Sequence, residues 1–352
     1  MFFGMKHRKP RVLVIGTGGA ISAKPFKGKW KYGEFTEEDL IDIVSGIREK
    51  FDIKTANIFR MDSSDVKPEH WLTLANSIYY NMEEFDGIVV TMGTDTMHYA
   101  DTAIAFLIQN NNIPIVFTGS VVDPTELNTD AKWNLREAIT VAGTADIAET
   151  VLVFNGRILR ATRTKKVNAS EFTAFESVDE PQLGTIQHFI ELRGKYRKRS
   201  KNAPKLYQNL ESEVAIMKVY PGFDGNRIVS LIGQGVKGIV LEGYGLGNIP
   251  LLDNSMREAI KFADRKNVAI AITSPCALGK FWKNIYQAEI GARLKGLKVI
   301  PLYDMLTETA YVKLMWVLSR TTEFAEVKKM MQKSYAGEIS EFRPSRKNVL
   351  GD

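Results

Sequence analysis

Short apolar segments alternate with helix-like segments along the first half of the chain, and this alternation restricts the fold more than any other feature. The segments VLVIG, GIVV, IPIVF and VLVF are apolar throughout, as is typical of strands buried on both faces. The longer segments between them, such as PEHWLTLANSIYYNM, have the spacing of amphipathic helices. Strands that alternate with helices predict an α/β fold with a parallel sheet and helices on both faces.

The composition changes at residues 193–212, which are basic and polar. A second α/β pattern follows, with apolar segments such as GIVL and VAIAI. We therefore predict a larger N-terminal domain at 9–192, a linker at 193–212 and a smaller C-terminal α/β domain at 213–341. A length of 352 residues suits two domains rather than one.

Charge and cysteine content exclude several classes of protein. Much of the net charge of +6 lies in RGKYRKRSK, which a solvated linker explains better than a nucleic-acid-binding surface. Cys276 is the only cysteine, which excludes a disulfide within the chain and a zinc site made of cysteines. The four histidines have no metal-ligand spacing. No apolar segment has the length of a signal peptide or membrane span, so we expect a cytoplasmic protein.

Several local patterns predict individual elements. TEEDLIDIVSGIREKF is expected to form an amphipathic helix with Thr36 as its N-cap, and Pro68 to begin another. Asn155 and Gly156 predict the turn of a hairpin. The polar residues from about Ala336 onward are expected to be frayed.

The glycine turn in VLVIGTGGAIS presents either its backbone to a phosphate or a side chain to a substrate. A dinucleotide-binding turn needs the pattern G-x-G-x-x-G. Gly16, Gly18 and Gly19 are present, but Ile21 stands where the last glycine should be. No acidic residue ends the second strand at the expected distance either, so the sequence disfavours a nucleotide site.

Polar side chains follow three other predicted strands. Thr94 and Asp95 lie in GTDT, MDSSD occupies 61–65, and RTKKVNASEF occupies 163–172. Capping of the next helix is one explanation for the residues of GTDT. However, hydroxyl, carboxylate and ammonium groups that meet at one sheet edge also suit acyl transfer. A threonine hydroxyl becomes a good nucleophile when a base removes its proton, and lysine can be that base if burial lowers its pKa.

These motifs resemble those of the L-asparaginases, and most closely those of the archaeal cytoplasmic type I enzymes. IGTGGAIS resembles the first family signature and GTDTMHYA the second. TGSVVDPTELNTDAKWNLREA, FNGRILRATRTKK and GVKGIVLEGYGLGNIP follow in the family's order, so the resemblance extends from Arg11 to about Glu341. It implies the asparaginase/glutaminase-like fold and hydrolysis of L-asparagine to L-aspartate and ammonia, through a threonine acyl-enzyme and without a cofactor.

The resemblance also implies roles for individual residues. Thr94, Asp95 and Lys166 correspond to the family's Thr-Asp-Lys group, in which Asp95 also pairs with the substrate's α-ammonium. Gly93 is placed with them among the substrate-binding residues. Ser120 offers its backbone carbonyl to the leaving amide.

MDSSD corresponds to the site of the substrate's α-carboxylate. The resemblance assigns this contact to Ser63. Ser64 stands where secreted relatives often have glutamine, so one contact is expected to be weaker. Asp65 is counted with the substrate-binding residues, and we expect it to organise this turn.

Two further implications concern the entrance to the site. Residues 24–35 correspond to the family's mobile lid, with Tyr32 as its functional tyrosine and Trp30 as the competing alignment. Asn248 matches a position that reaches the active site across a subunit contact, which implies a homodimer or homotetramer.

Ala20 is the main departure from the family pattern, because the nucleophilic threonine belongs at this position. Thr17 is expected to point elsewhere, and Ser22 is displaced by two positions. The backbone N–H of Ala20 retains the ability to donate to an oxyanion. Three explanations stay open: an inactivated variant of an asparaginase, a slow natural enzyme with Thr94 as nucleophile, or a homologue that binds its ligand without turnover.

Two alternatives compete with an impaired asparaginase. A non-catalytic protein that binds aspartate or asparagine is favoured by Ala20. The glutaminase subunit of an archaeal tRNA-dependent amidotransferase also has a motif like GTDTMHYA, including His98. That subunit has a folded domain before its first signature, whereas about ten residues precede it here, and we therefore disfavour it. Preference for asparagine or glutamine depends on pocket geometry.

Overall fold

A computed structural model describes residues 8–26, 29–31, 34–277 and 294–340. The chain divides into two compact units, Met1–Leu210 and Glu211–Asp352. The division falls near the end of the linker predicted at 193–212.

The first unit contains one large sheet and three small ones among its described residues. Its strands are β1 Arg11–Gly18, β2 Lys24–Phe26, β3 Lys29–Lys31, β4 Asp52–Met61, β5 Gly87–Thr91, β6 Ile108–Gln109, β7 Ile115–Thr118, β8 Thr150–Phe154, β9 Arg157–Arg160, β10 Thr164–Lys166, β11 Phe175–Ser177, β12 Gly184–Ile186, β13 Ile190–Leu192 and β14 Lys205–Leu206. The large sheet has the order β13-β12-β9-β8-β7-β5-β1-β4. The five strands from β8 to β4 are parallel, which confirms the predicted parallel sheet, and three antiparallel strands extend it.

Helices cover both faces of the large sheet. The helices of the first unit are α1 Glu37–Asp42, α2 Ile47–Lys50, α3 Pro68–Asn81, α4 Met97–Leu107 and α5 Ala131–Thr144. Val12 and Val14 of β1 pack in one core cluster with residues of α1 and α5. Leu13 and Ile15 alternate with them and are also buried, because side chains of a strand point alternately to its two faces.

The segment predicted as one helix after Thr36 forms two. Thr36 is the N-cap of α1, as predicted, and its hydroxyl accepts from the Asp39 N–H at 3.2 Å. The Asp39 carboxylate accepts in return from the Thr36 N–H at 2.9 Å, which completes a capping box. The helix does not continue to Lys50, because Gly46 adopts a left-handed conformation with φ of 72° between α1 and α2.

The basic run at 193–201 is mostly exposed, but two of its arginine side chains bond to the first unit. The guanidinium group of Arg197 donates to the Ala148 carbonyl at 2.7 Å. That of Arg199 donates to the carbonyls of Ala145 and Ala142, both at 2.7 Å. These side chains pair with backbone carbonyls of the first unit, and burial lowers the pKa of both guanidinium groups.

The second unit has a smaller parallel sheet, as predicted. Its described strands are β15 Val214–Lys218, β16 Gly238–Glu242, β17 Ala269–Thr273 and β18 Ile300–Pro301, in that order. Its described helices are α6 Asn226–Gly233, α7 Asn254–Arg265, α8 Thr307–Leu318 and α9 Phe324–Gln332. No helix in the parts of the chain that the structure describes combines the length and apolarity needed to cross a membrane.

The expectation of a frayed end from Ala336 was wrong for residues 336–340. The carboxylate of Glu338 is fully buried and lies 2.6 Å from the ammonium group of Lys313 in α8. It also accepts from the N–H groups of Tyr335 and Ala336. A buried ion pair with these additional bonds fixes the segment that local polarity had suggested would be loose.

Candidate active site

Three turns meet at the carboxyl ends of adjacent parallel strands. The glycine turn follows β1, MDSSD follows β4 and GTDT follows β5, and β1 lies between the other two strands. The Gly19 N–H donates to the Met61 carbonyl at 3.1 Å. A Cβ atom on Gly19 would lie 2.2 Å from the Gly93 nitrogen. The predicted convergence of these segments is therefore present.

Glycine is required at the centre of the first turn. Gly18 and Gly19 have φ values of 102° and 80°, in a region that disfavours any side chain. A Cβ atom on Gly18 would also lie 2.4 Å from the Met61 carbonyl oxygen. The positive φ values and the lack of space for a side chain together explain this glycine pair. The turn that the two glycines form brings residue 20 to the same edge of the sheet as GTDT.

Thr94, Asp95 and Lys166 form one polar group. The ammonium group of Lys166, at the end of β10, donates to the Thr94 hydroxyl at 2.9 Å. It also lies 2.5 Å from Oδ1 of Asp95. The Lys166 side chain is 16% exposed and that of Asp95 is 64% exposed, so the carboxylate stays accessible to a ligand. Residues from two distant parts of the sequence thus place an amine against a hydroxyl.

Ser63 joins the second turn to the third. It is 3% exposed, and its hydroxyl accepts from the Asp95 N–H at 3.2 Å. Its carbonyl accepts from the Thr96 hydroxyl at 2.6 Å. A Cβ atom on Gly93 would lie 2.8 Å from the Ser63 hydroxyl, so Ser63 and Gly93 are also adjacent.

Asp62, rather than Asp65, organises the MDSSD turn. The Asp62 carboxylate accepts from the Ser64 N–H at 2.8 Å and from the Ser64 hydroxyl at 2.6 Å. Asp65 is exposed and only its backbone N–H bonds within the turn, to the Asp62 carbonyl at 3.1 Å. The sequence signal was an aspartate immediately before two serines, which is typical of a side-chain cap.

The two hydroxyl side chains on either side of Ala20 both bond to backbone carbonyls. Ala20 begins a short 3₁₀ turn that ends at Ser22. The Thr17 hydroxyl donates to the Thr91 carbonyl at 2.8 Å, and the Ser22 hydroxyl donates to the Gly19 carbonyl at 3.1 Å. Both side chains are buried and bonded to backbone, in agreement with the expectation for Thr17.

The remaining predicted residues are less closely connected. Ser120 follows β7 and is buried, and its hydroxyl has no hydrogen-bond partner within the described ranges. Asn248 belongs to the second unit, where it pairs with Tyr244 in an isolated β-bridge. Tyr32 lies outside the described residues, and for Trp30 only the backbone of β3 is described.

Two buried carboxylates near these turns were missed by sequence reasoning. Glu37 begins α1, and burial raises its pKa. Asp101 lies within α4, the helix that follows GTDT, and burial raises its pKa well above the ordinary value. The sequence suggested Glu37 only as an acid in a first turn. The signal for Asp101 was its position among the apolar residues of a buried helix.

Comparison with known proteins identifies the family. The model described as "Asparaginase, N-terminal" matches residues 11–198, and "Glutaminase/Asparaginase C-terminal domain" matches residues 213–331. The chain belongs to the asparaginase family, as its motifs predicted.

Relatives of two kinds are similar over most of the chain. A glutamyl-tRNA(Gln) amidotransferase subunit of Pyrococcus abyssi is 37% identical over 345 residues, which cover 95% of this chain and 77% of that protein. The L-asparaginase of Thermococcus kodakarensis is 32% identical over 333 residues, which cover 94% of this chain and 99% of that protein.

Solved structures confirm the predicted fold. The Thermococcus kodakarensis L-asparaginase has a TM-score of 0.87 at 32% identity, and the match covers 94% of this chain and 100% of that one. L-asparaginase I from Vibrio cholerae has a TM-score of 0.85 at 30% identity, covering 95% and 100%. A probable cytoplasmic L-asparaginase from Campylobacter jejuni has a TM-score of 0.77 at 26% identity, covering 93% and 100%.

Proposed function

We propose that this chain has an L-asparaginase site, built to hydrolyse L-asparagine to L-aspartate and ammonia, and that Ala20 impairs its turnover. The observation that carries the proposal is the contact of the Lys166 ammonium group with the Thr94 hydroxyl at 2.9 Å. Such a pair activates a hydroxyl for attack on a carbonyl once the lysine is neutral. Membership of the asparaginase family supports this chemistry.

Substrate binding follows from the accessible groups around this pair. The exposed carboxylate of Asp95 pairs with the α-ammonium of asparagine, and Ser63 and the backbone near it receive the α-carboxylate. Ser64 contributes less, because its hydroxyl already donates to Asp62. Ser120 accepts from the leaving amide through its backbone carbonyl. These assignments need no metal ion or other cofactor.

The chemistry of a threonine enzyme has two steps. The hydroxyl of a threonine at position 20 attacks the side-chain amide, its proton passes to the departing nitrogen, and ammonia leaves an acyl ester. Water then attacks the ester and releases aspartate. The N–H of residue 20 donates to the oxyanion in both steps. In this chain Ala20 has no oxygen, so the first step is left to Thr94 or to water, at a rate lower by several orders of magnitude.

A glutamine-hydrolysing subunit is the second candidate. The amidotransferase subunit of Pyrococcus abyssi is 37% identical to this chain, against 32% for the asparaginase of Thermococcus kodakarensis. Such a subunit would supply ammonia from glutamine to a partner protein. The same Thr94, Asp95 and Lys166 group serves both substrates, which differ by one methylene.

We also propose that the chain acts as a cytoplasmic homodimer or homotetramer, in which Asn248 contributes to the site of a neighbouring subunit. The resemblance of GYGLGNIP to the family pattern supports this role. The Campylobacter jejuni relative described as probably cytoplasmic supports the location.

Ammonia release from L-asparagine and L-glutamine tests these proposals. The chain is compared with its Ala20→Thr variant, and with a Lys166→Met substitution in that variant as the control. Of these three proteins, we expect only the Ala20→Thr variant to turn over asparagine. Turnover of glutamine with tRNA binding would favour the second candidate. Activity of the unchanged chain that is lost in Thr94→Val would identify Thr94 as the nucleophile. If neither chain is active but L-aspartate binds, the protein is a ligand-binding homologue.

A further inference from the structure

The buried carboxylate of Glu37 has an unusual environment. Glu37 is 4% exposed. Asn57 of β4 donates its side-chain N–H to the two carboxylate oxygens at 3.3 and 3.4 Å. Within the described residues no lysine or arginine lies at ion-pair distance from it, and Arg60 acts on it only at longer range. The carboxylate is therefore buried with neutral donors, its own backbone N–H and the Asn57 amide.

Its position explains the glycine at residue 16. A Cβ atom on Gly16 would lie 1.5 Å from Oε1 of Glu37 and 2.1 Å from its Cδ. Gly16 has no left-handed conformation that would require glycine. Its lack of a side chain instead leaves the space that the carboxylate fills. Glu37 thus lies directly against the backbone of β1, immediately before the turn that holds residue 20.

A second contact holds the other end of the same turn. The Phe35 N–H donates to the Ser22 carbonyl at 3.1 Å. Phe35 and Glu37 lie on either side of the N-cap Thr36, so the start of α1 contacts the β1 turn on both sides of Ala20. The middle of the turn is fixed to neighbouring strands by Thr17 and Gly19.

We propose that Glu37 is a positioning residue for position 20: its carboxyl group, seated on Gly16, fixes the placement of the nucleophile turn relative to Thr94 and Lys166. The inference rests on the proposed function, because it concerns a nucleophile at that position. The contact depends on shape, since the carboxyl group of Glu37 fills the space that the missing side chain of Gly16 leaves. Displacing a reacting group by about 1 Å lowers the rate by about 100-fold.

The test uses the Ala20→Thr variant as its background and measures kcat and KM for asparagine. Glu37→Ala is expected to lower kcat by about 10- to 100-fold while KM changes by less than about threefold. Glu37→Gln preserves the shape and the Asn57 contact, and is expected to retain kcat within about threefold. Gly16→Ala forces the carboxyl group away and is expected to lower kcat as Glu37→Ala does.

The double variant Gly16→Ala with Glu37→Ala gives the sharpest result. Truncation of Glu37 removes the three atoms that a Cβ on Gly16 would contact most closely, so the added methyl group refills the space. We expect kcat to recover towards that of the background, which is a strong coupling between the two substitutions.

Gly143→Ala is the matched control. Its Cβ would lie 2.5 Å from the Phe51 ring, so it overpacks the same unit without touching the β1 turn. It is expected to lower Tm and leave kcat unchanged. The inference is overturned if Glu37→Ala also lowers Tm and leaves kcat unchanged. It is overturned too if the double variant is no faster than Gly16→Ala. Silence of Ala20→Thr itself would overturn the proposed function, and this inference with it.

Discussion

Two lysine–carboxylate pairs in this chain are alike in distance and opposite in setting. Lys166 lies 2.5 Å from Asp95 at the edge of the first sheet, and Lys313 lies 2.6 Å from Glu338 in the second unit. The first pair is 16% and 64% exposed, whereas the second is completely buried. The two pairs differ in their energetics because of burial and not because of distance. Water screens an exposed pair and weakens it, whereas a buried pair carries the cost of desolvating both charges.

The partners of each pair show what it can do. The Lys313 ammonium group also donates to the carbonyls of Met331 and Lys333, at 2.8 and 2.6 Å. The carboxylate of Glu338 receives two backbone N–H groups in addition. The ammonium group and both carboxylate oxygens thus have their partners within the protein, which is typical of a structural role. Beside Lys166, in contrast, lie a threonine hydroxyl and an exposed carboxylate, and these are available to a substrate.

Removal of the accessible lysine is expected to have the largest effect. In the Ala20→Thr background, Lys166→Met should lower kcat by about 100- to 10,000-fold, because it removes the amine beside Thr94 that the proposed chemistry uses as its base. Tm should change little, since the pair is partly exposed. Ammonia release and thermal unfolding of the same samples check both parts. A large fall in Tm with residual kcat would show that the Lys166–Asp95 pair is structural, as the Lys313–Glu338 pair is.

Removal of the buried lysine should do the reverse. Lys313→Met leaves the Glu338 carboxylate buried without its cation, and this is expected to cost about 3–5 kcal/mol of unfolding free energy. The midpoint of urea unfolding should fall, and L-aspartate binding should persist wherever the protein stays folded. Glu338→Gln in the Lys313→Met chain should recover part of the loss, because it removes the uncompensated charge. No recovery would show that charge is not the cause.

Asp101 offers a third case, a buried carboxylate with no cation at ion-pair distance in the part of the chain that the structure describes. Neither oxygen has a well-formed hydrogen bond among the described residues, and the Thr102 amide and hydroxyl offset its burial only in part. Its pKa is raised well above the ordinary 3.8, so at intermediate pH the folded state binds a proton that the unfolded state has lost. The stability contributed by this group is complete below the unfolded pKa and is lost as pH rises through the folded one.

Asp101→Asn should remove that dependence on pH. Between the unfolded and the folded pKa of Asp101, the parent should lose about 1.4 kcal/mol of unfolding free energy, relative to the variant, for each increase of one in pH. Urea unfolding at a series of pH values from about 5 to about 9 measures this difference. A constant difference between parent and variant would show that Asp101 ionises normally.

The sequence predicted the parts of the site that depend on topology. Parallel strands bring their carboxyl ends to one edge, so the convergence of the glycine turn, MDSSD and GTDT followed from the strand pattern. The contact of Lys166 with Thr94 came from the family resemblance, because strand alternation does not determine which of Lys165 and Lys166 faces the hydroxyl. The choice of Lys166 therefore came from matching the residue types of a family motif and not from the strand pattern.

Features that depend on long-range burial were missed. Glu338 lies in a polar segment, and its partner Lys313 lies in an apolar helix distant in sequence, so local polarity suggested fraying. Glu37 resembled an ordinary acid of a first turn until Gly16 was seen to leave it space. Arg199 belonged to a basic run, but its guanidinium group finds backbone carbonyls. In each case a charged side chain is wholly or partly buried beside a residue distant in sequence, and the local sequence pattern does not indicate such a partner.

The smallest effect is expected for an exposed pair within α9. Lys329 lies 3.1 Å from Glu326, and the two side chains are 73% and 46% exposed. Lys329→Met should change the free energy of unfolding by less than about 0.5 kcal/mol, because water screens the pair and both side chains regain rotamer freedom when it is broken. Urea unfolding beside Lys313→Met gives the comparison within the second unit. If Lys329→Met were equally destabilising, lysine–carboxylate contact alone would explain the stability of this unit. A negligible change would leave burial as the property that makes Lys313 structural.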